Sequence, residues 1–263
     1  AHASGLPAFK QYYKEEKTRE LVLESIYDTV PIKSNRDTTI YSDVGAIILG
    51  EIVEKISGLP LNVFADSMIF KPLGMGTTFF NPPSNKMRRI VPTEFKPDGT
   101  IVHGYVHDEN AYSLGGVAGH AGLFSTAKDL AVFSQMMLND GLYGWKRIFK
   151  TETVNEFTTK ANVVDGSSRL LGWDSPGGYA SGGIYLSDNS FGHTGFTGTS
   201  MWIDPDQGII VILLTNAVHP NRKNKSPKYY DWRQRIHSAV YESLSIINKN
   251  PNLKLRPRWE EGE

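Results

Sequence analysis

Three short stretches of the chain hold side chains whose types and spacing could do chemistry. Tyr41-Ser42-Asp43 sets a phenol, a hydroxyl and a carboxyl side by side, just before an apolar-periodic run. A Tyr held at a helix start would have its pKa lowered by the helix N-terminus and by any nearby cation, as a general base requires. The same three residues also read as a half-buried aromatic followed by an ordinary Ser cap. His193-Thr194-Gly195 stands where a strand should begin. Gly195 and Gly198 would let a substrate lie close along an edge strand, with the N–H of Phe196 serving an oxyanion. Taken alone, the motif reads as a surface strand with an incidental His. Ser125-Thr126-Ala127-Lys128 matches Ser-x-x-Lys, a nucleophile with a proton acceptor one turn on. N-capping accounts for that spacing as well, with Ser125 as the cap and Asp129 favouring the first turn.

Histidines offer a rival chemistry. His103, His107, Asp108 and Glu109 lie together, with His120 nearby, and His-x-x-x-His is a spacing zinc can use. That spacing works on a helix, and Gly104 and Val106 argue against a helix here. The other reading is that these residues order a long loop or rim a cleft. Trp173, Tyr185 and Trp202 could stack a sugar or a base, but aromatics on strands more commonly pack a core.

The elements that must position these groups can be read from periodicity and punctuation. Residues 17–28 have helical spacing at Leu21, Leu23 and Ile26, with Lys17 and Thr18 before the first turn. Residues 42–57 form the clearest helix, with Ser42 as N-cap, Asp43 in the first turn and Gly58 at the stop. Residues 60–70 predict a short helix between Pro60 and Pro72. Residues 81–122 lack regular period and are rich in Gly, Pro, Asn and His, a length that marks a functional loop or an insertion. Helices return at 125–139 and 150–159. Strand-like runs follow at 181–187, 189–195, 199–204 and 208–216, joined by turns short enough to require antiparallel pairing. A last helix, 229–248, places Trp232, Ile236, Val240 and Leu244 on one face, suited to covering that sheet.

Composition narrows the classes. The 263 residues are 40% hydrophobic and 21% charged, with Lys+Arg and Asp+Glu balanced at 28 each, so no net charge favours nucleic acid or an anionic membrane. The longest apolar run, Gly208 to Leu214, is far short of a bilayer span. The absence of cysteine removes disulfides, thiolate zinc sites and Cys nucleophiles together. The chain opens AHASGLPAF, without a basic or apolar leader, and Ser4-Gly5-Leu6-Pro7 is turn chemistry, as though entered midway through a loop.

In combination the motifs resemble one family. YSDVGAIILGEIVEKISGLPLNVFADSMIFKPLGM, residues 41–75, is similar to the Tyr-x-Asn region of serine β-lactamases and penicillin-binding proteins, closest to the class C and esterase-like branch. There, too, a helix and then a Pro-Leu-Gly-Met turn follow the motif, here Pro72 to Met75. SGLP at 4–7 resembles the loop between that family's first two motifs, and residues 107–130 resemble the stretch ending its helical lobe. GHTGFTGTSMWIDPDQGIIVILLTN, residues 192–216, resembles the third motif, Lys-Thr-Gly or His-Thr-Gly before the last strands. Order, spacing and flanks agree over nearly all of residues 1–248.

The resemblance implies Tyr41 as base or proton relay, catalytic together with His193, and Asp43, Thr194, Gly195 and Phe196 as substrate contacts. Asp43 stands where an Asn is usual, and a carboxylate cannot donate the hydrogen bond an amide gives. His193 in place of Lys leans the reading towards peptidase and esterase relatives. The family's Ser-x-x-Lys would precede the Ser-Gly-Leu-Pro loop, so it is expected upstream of residue 1, and Ser125 is then a decoy. An unpaired sheet edge and an uncovered sheet face are expected to follow. The implied fold is α+β, an antiparallel sheet flanked by helices plus a mostly helical lobe. The expected divisions are an entry region at 1–41, the helical lobe at 42–180, the sheet with its covering helix at 181–250 and a tail at 251–263. The implied function is hydrolysis through an acyl-enzyme of a peptidoglycan peptide, a β-lactam or an ester, without metal or organic cofactor and without a nucleic-acid partner. The upstream segment of the same protein is an implied partner, and self-association is left open. The setting would be periplasmic or extracellular, as in modules fused behind cell-wall glycosidase domains. The alternative is a module that keeps the cleft for binding or scaffolding without catalysis.

Overall fold

The computed structural model describes residues 1–15 and 18–258, so Lys17 and residues 259–263 of the expected tail lie outside the described residues. The chain divides into two compact units. Unit 1 holds residues 1–129 and 162–167; unit 2 holds 130–161 and the residues from 168 on.

Unit 1 opens with α1 (Tyr12–Glu15) and α2 (Arg19–Tyr27), where Thr18 accepts the Leu21 N–H as N-cap. Of the positions expected to face the core on α2, Ile26 is buried and Leu23 packs against the core, and only Leu21 fails. Val22 is buried as well, whereas Leu21 is exposed. Then come α3 (Asp43–Ser57), α4 (Leu61–Ala65), a π-turn at Asp66–Phe70 and α5 (Lys71–Leu73), ending at Gly74 in the left-handed conformation. The 60–70 helix thus runs on to Leu73, with Pro72 accommodated inside the last short turn. Further on, β1 (Phe79–Phe80) pairs antiparallel with β2 (Leu123–Phe124), and α6 (Glu109–Ser113) lies between them in sequence. Tyr12, Val22, Ile26, Val44, Ile47, Ala111 and Leu114 share the core.

The long 81–122 segment is ordered by specific contacts rather than by regular period. An antiparallel bridge joins Phe95 to Ile101. His107 meets Glu94 at 2.8 Å in a buried pair, and His120 meets the partly exposed Asp108 at 2.8 Å in a separate one. His103 Nε2 lies 3.0 Å from the Ile90 carbonyl. Gly119 lies so close on α3 that an added Cβ would fall 2.0 Å from the Ala46 carbonyl oxygen. Only glycine permits that approach.

In unit 2, most of α7 (Ala127–Leu138) is followed by the hairpin β3 (Leu142–Tyr143) and β4 (Lys146–Arg147), then α8 (Thr151–Thr158). The main sheet is β5 (Phe191–Thr194), β6 (Thr199–Asp204) and β7 (Ile209–Leu214), antiparallel in the order β5-β6-β7. Trp202 and Val211 face the last helix, α9 (Pro227–Ser243), in a core shared with Ile184, Tyr185, Leu186 and Tyr241. Met201, one position on, faces the other way and takes the Ser134 hydroxyl of α7. Trp202 and Tyr185 are buried, and Trp173 packs edge-on to Phe191, so the three aromatics are packing residues.

Two predictions fail in unit 2. Residues 181–187 are not a strand. Their backbone groups pair with α9 and the segment beyond it: Ile184 N–H donates to Ser238 Oγ, and Ile184 O accepts from Asn250 N–H. An added Cβ at Gly182 would fall 2.7 Å from the Trp202 ring, so the segment crosses directly over that indole. The second failure is the face of α9. Trp232, Ile236 and Leu244 are exposed, Val240 alone of the expected face packs against the Trp202 core, and the buried positions are Asp231, Arg233, Gln234, His237, Ser238 and Tyr241. The helix covers the sheet with its polar stripe because that stripe finds partners there. His237 Nε2 meets Ser200 Oγ at 2.9 Å, and Tyr241 donates to Asp204.

Candidate active site

The two motifs fall one in each unit, Tyr41-Ser42-Asp43 in unit 1 and His193-Thr194-Gly195 in unit 2. In unit 1 the sequence folds locally as a capped helix start. Ser42 is extended (φ −121, ψ 113) and its Oγ accepts the Gly45 N–H at 3.0 Å, the expected N-cap bond. The same hydroxyl donates to the Pro7 carbonyl at 2.7 Å, and the Ser42 N–H donates to His2 Nδ1 at 2.9 Å. Tyr41 is 45% exposed, and the His2 ring lies against it, centroids 4.2 Å apart. Asp43 begins α3 and donates its N–H to the Ala8 carbonyl. Burial pushes the Asp43 carboxyl above its ordinary pKa; His120 opposes that shift and Asp108 adds to it.

In unit 2, β5 carries His193 opposite Met201 and Thr194 opposite Ser200. The strand ends where Gly195 N–H donates to Thr199 O, and Gly198, at φ 123, closes the turn back into β6. An added Cβ at Gly198 would fall 2.7 Å from the Ala217 N, so the turn needs glycine there. Phe196 sits at the tip of that turn, exposed.

His193 is held on both ring nitrogens. Arg169 Nη1 lies 3.3 Å from Nε2 and can only donate, so Nε2 accepts. Nδ1 must then carry the proton it donates to Thr194 O, 2.9 Å away. Burial first, and the Arg169 charge second, lower the His193 pKa against the weaker pull of Thr194 O and Asp174. The imidazole is neutral, with its tautomer set by two neighbours.

Sequence reasoning missed two cations beside this segment. Arg169 sits in SSRLLGWD, where its nearest signal is Asp174, 3.6 Å from the guanidinium. Lys225 sits in a polar loop; its Nζ donates to Phe196 O at 2.7 Å and covers the Phe196 ring. Burial, then Arg233, lower its pKa. Two fixed positive groups make the His193–Phe196 segment favourable to a substrate oxygen that gains negative charge. His2 was missed as well, although it adjoins the quoted SGLP turn.

Ser125 is placed differently. Its Oγ lies 2.7 Å from Thr78 Oγ1, and the N-cap of α7 is Thr126, whose hydroxyl accepts the Asp129 N–H. The expectation that Ser125 caps is corrected by one residue. Asp129 in turn accepts from Thr77 N–H and from the Thr77 and Thr78 hydroxyls, a buried knot under β1 and β2. A cavity of about 500 Å³ lies at the end of the sheet where β5 begins, against Ser190, Phe191 and Pro205, and none of the candidate residues lines it.

Residues 1–235 match the Beta-lactamase family model. The chain is 38% identical over 247 residues to the putative D-alanyl-D-alanine carboxypeptidase of Escherichia coli (strain K12), 83% of this chain and 56% of that protein. It is 37% identical over 278 residues to the N-acetylmuramyl-L-alanine amidase of Bacillus subtilis (strain 168), 92% of this chain and 62% of that one. The chain thus spans little more than half the length of these curated relatives. Among solved structures, a beta-lactamase from Mycobacterium bovis superposes with a TM-score of 0.61 at 20% identity, over 92% of this chain and 71% of that chain. With residues 1–235 matched and the α+β fold of β-lactamases and penicillin-binding proteins, this chain belongs to the Beta-lactamase family.

Proposed function

We propose that the chain is part of a serine hydrolase that works through an acyl-enzyme on peptides ending in D-alanine or on related esters, at the cell wall outside the cytoplasm. The nucleophilic Ser is supplied by a Ser-x-x-Lys motif outside these 263 residues. In this reading Tyr41 handles the proton of the nucleophile and the leaving group. The neutral His193, Thr194 and the turn from Gly195 to Phe196 hold the substrate, with Arg169 and Lys225 favouring the developing oxyanion. The observation that carries the reading is the neutral His193, held by Arg169 and by Thr194 O on a glycine-ended strand, with Lys225 bonded to Phe196 O at the following turn. The carboxypeptidase relatives support the substrate class. A binding module without catalysis is the second reading, favoured by Asp43 in the place of an amide donor.

The test is turnover of D-Ala-D-Ala peptides and of p-nitrophenyl esters by the full-length protein. Tyr41→Phe is expected to lower kcat by about 100-fold with KM nearly unchanged, the size of a lost proton-transfer group. Wild-type protein that binds such peptides but turns over neither substrate would establish the binding module instead.

A further inference from the structure

We propose that His2 is a positioning residue for Tyr41: its imidazole packs on the phenol ring while its Nδ1, by accepting the Ser42 N–H, pins the backbone that carries the phenol. The proposal rests on the role given to Tyr41 above and adds the device that holds it.

The geometry has three parts. The His2 and Tyr41 rings are 4.2 Å apart at 37°, a close tilted pair. The Ser42 N–H points at His2 Nδ1 at 2.9 Å, so Nδ1 is the unprotonated nitrogen and the neutral ring keeps its proton on Nε2. This is the opposite tautomer to that of His193. The segment around His2 is laced to the residues that flank Tyr41. Ile40 N–H donates to His2 O at 2.9 Å, Ser42 Oγ donates to Pro7 O at 2.7 Å, and Asp43 N–H donates to Ala8 O at 2.9 Å.

Two observations separate this from ordinary packing. His2 holds a left-handed backbone, φ 54, which a non-glycine residue adopts at a cost and which recurs where a side chain must be aimed. Tyr41 is 45% exposed, so burial alone does not fix its ring, and a neighbouring ring face and a pinned backbone do more there than in a core. The Ser42 N–H is also one of the donors a helix start must satisfy, so His2 holds the Tyr41 backbone and completes the cap of α3 together.

Three variants divide the two contacts. His2→Asn keeps an acceptor near the Nδ1 position without the ring, His2→Phe keeps the ring without the acceptor, and His2→Ala removes both. The first readout is NMR of the full-length protein, with the Tyr41 ring assigned by loss of its signals in Tyr41→Phe. The wild type is expected to show an unprotonated Nδ1 on His2. The Tyr41 ring protons should move by a few tenths of a ppm in the Ala and Asn variants, and the Ser42 amide should move in Ala and Phe but stay near its wild-type position in Asn. A protonated Nδ1, or Tyr41 and Ser42 signals unmoved in His2→Ala, overturns the proposal. The second readout is ester turnover by the full-length protein. His2→Ala should lower kcat about tenfold at nearly constant KM, with partial rescue in Asn and Phe. Unchanged kcat in a variant whose signals have moved also overturns it. If Tyr41→Phe itself leaves kcat unchanged, the role of Tyr41 falls, and the NMR result still decides whether His2 positions it.

Discussion

Ser42 at the start of α3 and Gln234 in the middle of α9 are both fully buried polar side chains, and both are fully occupied. Ser42 Oγ bonds Gly45 three residues along and Pro7 across the unit. Gln234 bonds Ala180 O, Lys254 O and Arg256 N–H, each at least 20 residues away. One side chain finishes a helix that its own neighbours specify. The other ties together three segments that no helical pattern relates. The comparison teaches that a buried polar residue is legible from sequence when one of its partners lies in the next turn, and is otherwise read as solvent-facing.

The largest expected effect comes from breaking the non-local case. Gln234→Leu removes three hydrogen bonds, to the Ala180 and Lys254 carbonyls and from the Arg256 N–H, and should cost roughly 3 kcal/mol, at about 1 kcal/mol for each bond. Urea unfolding followed by tryptophan fluorescence measures it, and a loss below about 1 kcal/mol would show that water replaces the glutamine.

His237, one turn further along α9, sharpens the same contrast through pH. Burial, then Arg233, push its pKa down to about 4 from an ordinary value near 6.5. The folded state therefore binds fewer protons than the unfolded chain. Its contribution is intact above about pH 6.5 and is lost as pH falls towards 4, to a total of about 3 kcal/mol. His237→Gln, which can still pair with Ser200, should remove most of that slope in unfolding measurements between pH 7 and 4.

The local case is expected to cost less. Ser42→Ala removes a cap and leaves the Pro7 carbonyl without its donor, about 2 kcal/mol in the same unfolding experiment. The smallest effect is on the exposed apolar side of α9, where Ile236→Glu should change stability by no more than about 0.5 kcal/mol. A loss above about 2 kcal/mol there would mean that this face is covered in solution.

The same division runs through the candidate site. The Tyr41-Ser42-Asp43 helix start was legible because capping and first-turn charge act within four residues, and the structure places them as expected. The strand bearing His193 was legible from glycines and turn residues on either side. Arg169 and Lys225 were not legible, since neither lies within 20 residues of His193 and neither belongs to a periodic pattern. Ser125 misled because its spacing to Lys128 imitates a catalytic pair, while the adjacent Thr126 holds the cap.

The amino-acid order by itself determined the α+β class, the capped α3 and the β5–β7 meander, because each depends on short-range periodicity, turn chemistry or contiguous residues. Only the tertiary structure decided which side of α9 is buried, that residues 181–187 cross over Trp202 instead of pairing as a strand, and that His2 lies against Tyr41. Those outcomes depend on which donor meets which acceptor across tens of residues. A hydrogen bond of that kind leaves no period in the sequence, yet burying its partners unpaired would cost more than exposing Trp232 and Ile236 to water.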